Sequence, residues 1–494
     1  MINYTTKTKI IATIGPASSS KEQLKKLFEA GVNVCRLNFS HGSHEDHLEV
    51  INRILELNDE LRVHVAILAD LQGPKLRIGE VENNGIELTK GATIKFVNTP
   101  CVGNLERVYM SYIRFAKDVK IGDTILIDDG KLKLEVTETN HKDCVTAKVI
   151  FGGILSSKKG VNLPRTKISL PSLTEKDIKD AEFALENNVD WIALSFVRKA
   201  EDILDLRKIV EAKEKHTGII AKIEKPEALD VIDDIINVSD GIMVARGDLG
   251  VELHFSEVPI KQKMIVDKCI KHAKPVIIAT QMMESMITNF SPTRAEANDV
   301  ANAVIDGTSA VMLSGETSVG KFPVEVIQAM SSIVRDAEKY GYKYYRHQEP
   351  QIDQESFILD STCHTASIMA IQSKVNNIVV LTYSGDSVRK IASYRPKANI
   401  YGFTPNKHLL RQMSLIWGVQ SYPCQDFMFT NDAVEYTLTT LFYQKKIEAG
   451  ELVVSVGTLP LNKKGSTNMV KFSYYKSDVI LRDQEHDQSE FSRE

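Results

Sequence analysis

The sequence predicts an α/β protein: a (β/α)8 barrel with an inserted all-β domain and a C-terminal open-sheet α/β domain. Three features of its 494 residues predict this architecture. Eight short apolar segments alternate with helix-like segments, as the strands of a parallel barrel do. Between the third and the fourth of these segments lie roughly 100 residues of a different kind. They contain short segments in which apolar and polar residues alternate, and almost none of the periodicity typical of helices. Beyond about residue 340, apolar and helical segments alternate again, which is typical of a smaller open sheet.

The barrel strands are expected in two groups on either side of the insert. Three come before it, at 9–15, 32–38 and 64–70. Five come after it, at 191–196, 218–224, 241–246, 275–280 and 309–314. A helix predicted over 21–30 separates the first two strands, and Gly31 marks its end. An open sheet remains the alternative, because one miscounted strand would prevent closure.

The predicted units follow from these changes in pattern. They are the barrel, 1–73 and 171–342; the insert, 74–170; the C-terminal domain, 343–480; and a polar tail, 481–494. Within the insert, Asp129-Gly130 between two alternating segments is a hairpin signal.

Composition excludes several classes of protein. The apolar fraction of 43% and the charged fraction of 26% are ordinary for a globular chain, so wholesale disorder is excluded. The formal net charge of -4 argues against a nucleic-acid or polybasic membrane partner. No apolar segment approaches the ~20 residues of a membrane helix, and the N-terminus is typical of a strand and turn, not of a signal peptide. Six scattered cysteines without a C-x-x-C pair favour the cytoplasm, with no disulfide framework or zinc cluster.

Charged and hydroxyl side chains fall at the ends of five predicted barrel strands, where catalytic groups of such barrels lie. They are Arg36, Asn38 and Ser40 on strand two, Asp70 on strand three, Lys222 and Glu224 on strand five, Asp248 after strand six, and Thr280 on strand seven. A strand covered by helices has no solvated face, so the Lys222–Glu224 pair favours a functional interpretation. Taken singly, Asp248 is equally a helix N-cap, Arg36 a structural ion-pair partner and Thr280 an ordinary strand residue.

This combination of side chains suits phosphoryl transfer. Glu224 and Asp248, on neighbouring strands ~4.8 Å apart, can share a hard cation such as Mg²⁺. Fixed positive charge comes from Arg36, Lys75, Arg77 and Lys222. The amides of Gly247-Asp248 open a helix and suit a carboxylate. A divalent cation with Arg and Lys is the equipment of phosphoryl transfer, but the residues do not identify the phosphate compound.

Ordered motifs in this sequence resemble the pyruvate kinase family over nearly the whole chain, apart from about the last dozen residues. They are TKIIATIGPAS, CRLNFSHG, GPKLRIG, KKGVNLP, LTEKD, AKIEKPEAL, VARGDLGVE, ATQMMESM, PTRAEANDVANAV, MLSGETSVGKFPVE, TYSGDS and GSTN. The resemblance implies a catalytic barrel, a β lid formed by the insert, and a C-terminal regulatory domain. It also implies transfer of the phosphoryl group from phosphoenolpyruvate to ADP, giving pyruvate and ATP in the last step of glycolysis, by a homotetramer.

The resemblance also implies roles for single residues. Glu224 and Asp248 match the ligands of Mg²⁺ or Mn²⁺, and Lys222 matches the lysine that stabilises the phosphoryl group during transfer. Arg36 matches the phosphate-binding arginine. Thr280 and the amides of Gly247 and Asp248 match groups that hold the substrate carboxylate, and Thr280 also lies near the enolate carbon that is protonated.

Four further positions match residues near the nucleotide: Asn38, His41, Arg77 and Lys159. Lys159 lies on the lid, so its contact with the nucleotide depends on lid closure. Closure would exclude water and strengthen the electrostatic interactions.

One departure from the family concerns K⁺. Members that need K⁺ read Asp-Thr-Lys-Gly-Pro-Glu where this chain reads DLQGPK, residues 70–75. The positions that match K⁺ ligands are still present: Asn38, Ser40, Asp70 and Leu71. We expect the Lys75 ammonium to supply the catalytic charge that K⁺ otherwise brings and to repel a second cation, so that K⁺ is not required. The alternative is a neutral surface change at Lys75.

The C-terminal domain offers a candidate effector loop between a strand and a helix. Its groups are Thr382, Ser384, Gly385 and Ser387, whose hydroxyls and amides can meet a phosphate. By spacing alone an ordinary turn with an N-cap explains the loop better, but the family binds sugar-phosphate activators there. Tyr383, where other members have a basic residue, and the negative Asp386 argue against fructose bisphosphate. A sugar monophosphate, a nucleotide or no effector stays open.

Two other functions remain alternatives. The first is a catalytically inactive phosphometabolite sensor, which would have lost Lys222, Glu224, Asp248 or Thr280; all four are present. The second is a Mg²⁺-dependent aldolase acting on 2-oxo acids, which would use the same carboxylates but needs neither the lid nor the C-terminal domain.

Overall fold

The computed structural model describes residues 6–164, 166–341, 349–352, 355–459 and 467–475. The strands, in chain order, are β1 Lys9–Thr13, β2 Val34–Asn38, β3 Ala66–Asp70, β4 Gly85–Leu88, β5 Thr93–Val97, β6 Arg107–Tyr109, β7 Thr124–Ile127, β8 Leu132–Thr139, β9 Cys144–Phe151, β10 Gly153–Ser156, β11 Val161–Asn162, β12 Trp191–Leu194, β13 Gly218–Ile223, β14 Gly241–Ala245, β15 Val276–Ala279, β16 Ala310–Leu313, β17 Asn377–Leu381, β18 Asn399–Thr404, β19 Val419–Pro423, β20 Leu452–Gly457 and β21 Met469–Tyr474.

The helices alternate with the strands in the barrel and the C-terminal domain. They are α1 Lys21–Ala30, α2 His44–Leu61, α3 Phe115–Asp118, α4 Glu175–Glu186, α5 Ala200–Ala212, α6 Pro226–Asp230, α7 Ile232–Val238, α8 Arg246–Glu252, α9 Val258–Lys271, α10 Arg294–Asp306, α11 Gly315–Ser318, α12 Pro323–Gly341, α13 Phe357–Gln372, α14 Asp386–Ser393, α15 Lys407–Gln412 and α16 Thr430–Tyr443. Short 3₁₀ turns lie at Glu82–Asn84, Glu284–Ile287 and Met413–Leu415.

Eight strands form a closed parallel barrel in the order β1-β2-β3-β12-β13-β14-β15-β16. The barrel closes where β16 pairs with β1, which places Val311 opposite Ile10. Each strand lies at one of the predicted segments. The barrel prediction is therefore confirmed, and the open-sheet alternative is wrong.

Alternate side chains of each strand enter two different cores. On β2, Val34 lies in the core inside the barrel, whereas Cys35 and Leu37 lie in the core between strands and helices. Because side chains alternate along a strand, Arg36 and Asn38 share the face of Val34. The polar residues at the end of β2 therefore sit above the interior of the barrel.

Capping residues mark the two ends of helix α1 as the sequence predicts. At the start of α1, the Ser20 side chain accepts a hydrogen bond from the backbone of Gln23. At its end, Gly31 adopts a left-handed conformation with φ of 117° and donates to Leu27 O. A residue with a β-carbon would be strained there, so glycine is the natural helix terminator.

The insert is a separate β domain with its own hydrophobic core. Its main sheet has six strands in the order β11-β7-β8-β9-β5-β6, beside a two-stranded sheet of β4 and β10. The predicted hairpin joins β7 and β8, with positive φ at Asp128, Asp129 and Gly130. The chain leaves the barrel after β3, so the lid extends from the carboxyl end of the barrel.

The C-terminal domain packs on the opposite, amino end of the barrel. Its five-stranded sheet has the order β19-β18-β17-β20-β21, with only β21 antiparallel to its neighbour. Leu415 enters the core inside the barrel. Arg411 Nε lies 2.9 Å from the carboxylate of Asp190, which directly precedes β12. The carboxyl end of the barrel is thus left to the lid.

Candidate active site

Lys222 lies at the centre of a buried cluster at the carboxyl end of the barrel. Its ammonium is 3.1 Å from Asp70 Oδ1 and 3.0 Å from Glu224 Oε1. It also donates to Ser195 Oγ at 2.7 Å. The side chain is 11% exposed and the two carboxylates are 1% exposed. The Lys-x-Glu pair is therefore not part of a solvated face.

Asp70 joins this lysine to Arg36. The Arg36 Nε donates to Asp70 Oδ2 at 2.6 Å, and its Nη1 donates to Thr13 Oγ1 at 2.9 Å. Arg36 does make the structural ion pair that the sequence left open, but that pair lies beside Lys222. Four strands, β1, β2, β3 and β13, bring these residues together.

Burial and ion pairing shift the pKa values of the charged side chains in the cluster. Burial lowers the pKa of Lys222, but the carboxylates of Asp70 and Glu224 outweigh it, so the pKa lies above its usual value. Burial raises the pKa of Asp70, but Lys222 and Arg36 hold it below its usual value. The pKa of Glu224 is raised by burial, against the effect of Lys222, and the charge of Asp248 adds to the rise. Lys222 is therefore a permanent positive charge at neutral pH.

Glu224 and Asp248 are the two predicted ligands of a divalent cation. The backbone of Phe196 donates to Glu224 Oε2 at 2.7 Å, which orients the carboxylate. Asp248 is the third residue of α8 and Ala245 is the N-cap, so the capping alternative for Asp248 is wrong. A cation shared by both carboxylates would offset the repulsion that raises the pKa of Glu224.

The donor set favours a cation that needs few protein ligands. In the described ranges, no group of three or more His, Cys, Asp or Glu side chains is arranged to hold a metal. A pair of carboxylates is compatible with a divalent cation such as Mg²⁺, which keeps several of its waters and so needs few protein ligands.

Thr280 occupies a strained turn at the end of β15. Its φ is 67°, and that of Gln281 is 53°, both in the left-handed region that β-branched residues avoid. The Thr280 hydroxyl accepts a hydrogen bond from Gly247 N at 2.7 Å and donates to Ala279 O at 2.6 Å. The Gly247 amide is therefore engaged by Thr280, whereas the sequence predicts an amide free for a carboxylate. The left-handed turn aims the hydroxyl at the start of α8.

A cleft of about 820 Å³ opens between α8, which carries Asp248, and the hairpin of the lid. Its polar lining includes Lys75, Asp129, Arg246, Gly247, Asp248 and Asp299. The volume lies within the usual range for sites that bind small molecules.

Two family models match the chain. The pyruvate kinase barrel domain matches residues 5–327, and the pyruvate kinase alpha/beta domain matches residues 360–472. The chain belongs to the pyruvate kinase family.

Individual pyruvate kinases are similar over nearly the full length. The enzyme of Geobacillus stearothermophilus is 42% identical over 482 residues, 97% of this chain and 82% of that protein. The enzyme of Staphylococcus aureus strain MRSA252 is 42% identical over 478 residues, 96% of this chain and 81% of that protein. A crystal structure of a pyruvate kinase from Cryptosporidium parvum superposes with a TM-score of 0.87 at 34% identity, covering 95% of this chain and 96% of that one.

Membership of the pyruvate kinase family confirms the fold and the enzyme class predicted from the motifs. The chain is a phosphotransferase, and the family implies phosphoenolpyruvate and ADP as substrates and a divalent metal as cofactor. Neither the inactive sensor nor the aldolase is favoured by these similarities. Within the described part of the chain, no helix combines the length and apolar character needed to cross a bilayer.

The residues predicted near the nucleotide lie on two separate elements. Asn38 is the last residue of β2, and His41 lies in the turn that follows, where its N–H donates to Asn38 O at 3.1 Å. Arg77 and Lys159 lie on the lid and make contacts within it. Arg77 Nη1 donates to Lys158 O at 3.1 Å, and Lys159 Nζ lies 2.9 Å from Asp128 Oδ1.

The positions that match K⁺ ligands already have polar partners. Asn38 Oδ1 accepts a hydrogen bond from Ser40 N at 3.2 Å, and Leu71 O accepts one from Ser195 Oγ at 2.7 Å. The carboxylate of Asp70 contacts Arg36 and Lys222, as described above. Lys75 Nζ lies 3.8 Å from Asp248 Oδ1, which puts its charge beside the predicted metal ligand.

The candidate effector loop is held by hydrogen bonds within it and by one to Thr467. Thr382 Oγ1 accepts from Gly385 N at 2.9 Å, and Gly385 is the N-cap of α14 with φ of 86°. Ser384 Oγ donates to Asp386 Oδ2 at 2.6 Å, and the Ser387 and Thr467 hydroxyls are 2.5 Å apart. Part of the GSTN motif lies outside the described residues.

Sequence reasoning missed two residues that organise the site. Ser195, at the end of β12, accepts from Lys222 and donates to Leu71 O. Arg246 donates to Thr280 O at 2.8 Å and pairs with Asp299 at 2.7 Å, which supports the strained turn. Ser195 could have been predicted from the sequence, because the fourth barrel strand, β12, ends at the same rim as the other barrel strands.

Proposed function

We propose that this enzyme moves the phosphoryl group at the Lys222 cluster. The observation that carries the proposal is the burial of the Lys222 ammonium between Asp70 and Glu224, which fixes a full positive charge at one position. A charge that is already oriented needs no reorganisation when negative charge develops in the transition state. During the reaction the bond between phosphorus and the enol oxygen of phosphoenolpyruvate breaks, and a β-phosphate oxygen of ADP bonds to that phosphorus.

Arg36 and Thr280 are proposed to hold the two ends of phosphoenolpyruvate. Arg36 is held by Asp70 and Thr13, so its guanidinium is oriented before the phosphate arrives. The carboxylate is proposed to bind at the Thr280 turn and at the amides of Gly247 and Asp248, where it would replace the Thr280 hydroxyl as the acceptor for the Gly247 amide. The enolate left after transfer accepts a proton on its terminal carbon, and the Thr280 hydroxyl is proposed to direct that proton. This completes pyruvate.

Glu224 and Asp248 are proposed to hold Mg²⁺, with Mn²⁺ as a substitute. When bound, the cation would supply charge neutralisation at the phosphate and enolate oxygens. Asn38 and His41 on the barrel, with Arg77 and Lys159 on the lid, are proposed to meet around ADP when the lid closes. Lys159 would then exchange its contact with Asp128 for one with a phosphate.

The experiment that tests this function also tests the K⁺ hypothesis. Pyruvate formation is measured from phosphoenolpyruvate with ADP and Mg²⁺, in buffer free of K⁺. We expect full activity, because the Lys75 ammonium already supplies positive charge next to Asp248. Absence of pyruvate with or without K⁺ would overturn the function, and ADP-independent pyruvate release would favour the aldolase. A strict need for K⁺ would overturn only the role of Lys75.

The matched variant for this test is Lys75→Glu. We expect it to make the enzyme dependent on K⁺, with activation of at least about tenfold, or ~1.4 kcal/mol of transition-state stabilisation. Lys75→Met is the control, since it removes the charge without adding a carboxylate. Equal, K⁺-independent activity in all three proteins would identify Lys75 as a neutral surface change.

We propose that the candidate effector loop does not bind fructose bisphosphate and that an effector, if this enzyme has one, is a sugar monophosphate or a nucleotide. Ser384 Oγ donates to Asp386, the Tyr383 hydroxyl donates to Asp426 at 2.6 Å, and Arg389 is itself paired with Asp386 at 2.7 Å, so these groups already have partners within the protein. We expect calorimetry to detect no fructose bisphosphate binding tighter than about 1 mM. If no sugar phosphate or nucleotide in a panel of such compounds binds, the loop is not an effector site. Light scattering on the same sample tests the proposed homotetramer.

A further inference from the structure

A buried ion pair outside the substrate-contacting cluster joins the two elements that carry the metal carboxylates. Lys225 Nζ lies 2.5 Å from Glu252 Oε1. The Lys225 side chain is 6% exposed and that of Glu252 is fully buried. Removing two such charges from water is costly, so the pair must bring a compensating benefit to the fold or the site.

The positions of the two residues indicate that benefit. Lys225 directly follows Glu224, at the end of β13. Glu252 is the last residue of α8, four residues after Asp248, and side chains four apart lie on the same face of a helix. The pair therefore links the backbone that carries one metal carboxylate to the helix that carries the other.

Two further observations connect this pair to the lid and to the metal site. Asn162, in β11 of the lid, donates to the same Glu252 oxygen at 3.0 Å. A small cavity of about 20 Å³ is lined by Asn162, Lys225, Lys75 and Asp248 together. The pair thus lies between the base of the lid and the metal carboxylates.

We propose that Glu252 is a positioning residue, which acts through Lys225 and α8 to set the spacing of Glu224 and Asp248 before a metal binds. The two carboxylates repel one another, and attraction between Lys225 and Glu252 holds their supporting elements at the distance a cation needs. Groups that orient metal ligands in this way are often nearly as important for affinity as the ligands. This inference rests on the proposed metal ligands.

The test is Mn²⁺ binding to the substrate-free enzyme, followed by electron paramagnetic resonance. We expect Glu252→Gln and Lys225→Met each to raise the Mn²⁺ dissociation constant about 10- to 100-fold. Either single variant leaves an unpaired buried charge and can fail to fold. The double variant Lys225→Met/Glu252→Gln has no such charge, and we expect it to unfold near the wild-type temperature and still bind Mn²⁺ at least about tenfold more weakly.

The matched control is another largely buried pair that is remote from the metal carboxylates. Lys390 Nζ and Asp360 Oδ2, in the C-terminal domain, are 2.8 Å apart, with side chains 17% and 6% exposed. Asp360→Asn should leave Mn²⁺ affinity within about twofold while lowering stability. A double variant that binds Mn²⁺ like the wild type would overturn the positioning role. If Asp248→Asn also leaves Mn²⁺ binding unchanged, the metal assignment itself is wrong, and the two failures are thereby distinguished.

Discussion

Replacing Lys222 by methionine is expected to lower kcat by about 10³- to 10⁵-fold, the range over which a positioned cation assists phosphoryl transfer. The ammonium is fixed by Asp70, Glu224 and Ser195 before substrate arrives, so its loss removes stabilisation that water cannot replace. The KM for phosphoenolpyruvate should change much less, because the effect is realised in the transition state. Steady-state kinetics with saturating ADP and Mg²⁺ measures both.

This variant also destabilises the fold, and the two effects can be separated. Without the lysine, two nearly fully buried carboxylates face each other, which costs roughly 3–5 kcal/mol. Lys222→Met/Glu224→Gln removes one of these charges and should recover most of the thermal stability. Because Glu224 is also a proposed metal ligand, the catalytic effect is taken from kcat of Lys222→Met alone, measured below its unfolding temperature. A Lys222→Met enzyme that keeps kcat within tenfold of the wild type would remove Lys222 from the mechanism.

The residues at the barrel rim could be predicted because two simple regularities apply there. Side chains alternate along a strand, so Arg36 and Asn38 share the inward face with Val34. Parallel strands end at one edge, so Asp70 and Lys222 had to lie near Arg36 despite long sequence separations. Neither inference requires knowledge of how the side chains pack.

Contacts that depend on packing could not be predicted in the same way. The left-handed conformation of Thr280 has no local signal, because a β-branched residue is the least expected at a φ of 67°. Its contact with Gly247 N follows from that conformation. Nothing in the sequence distinguishes Lys225 from a lysine on the surface, and its partner Glu252 is 27 residues away. Only the folded chain shows that both are buried.

Replacing Asp248 by asparagine is expected to cause the second large effect, a strong loss of metal affinity. Asp248 is 25% exposed, so the amide is accommodated without a buried, unpaired charge. The substitution removes one of the two proposed anionic ligands and should weaken Mn²⁺ binding by more than the roughly 100-fold that loss of a supporting group causes.

Activity of Asp248→Asn should respond to metal concentration in a way that separates binding from catalysis. At low Mg²⁺ we expect almost no turnover, and at high Mg²⁺ a partial recovery, because Glu224 is still present to hold the cation. Asp129→Asn is the matched control, since Asp129 lines the same cleft from the lid hairpin. An Asp248→Asn enzyme whose Mg²⁺ dependence equals that of the Asp129→Asn enzyme would contradict the assignment, because a carboxylate that binds the cation cannot be lost without changing the concentration of metal at which the enzyme works.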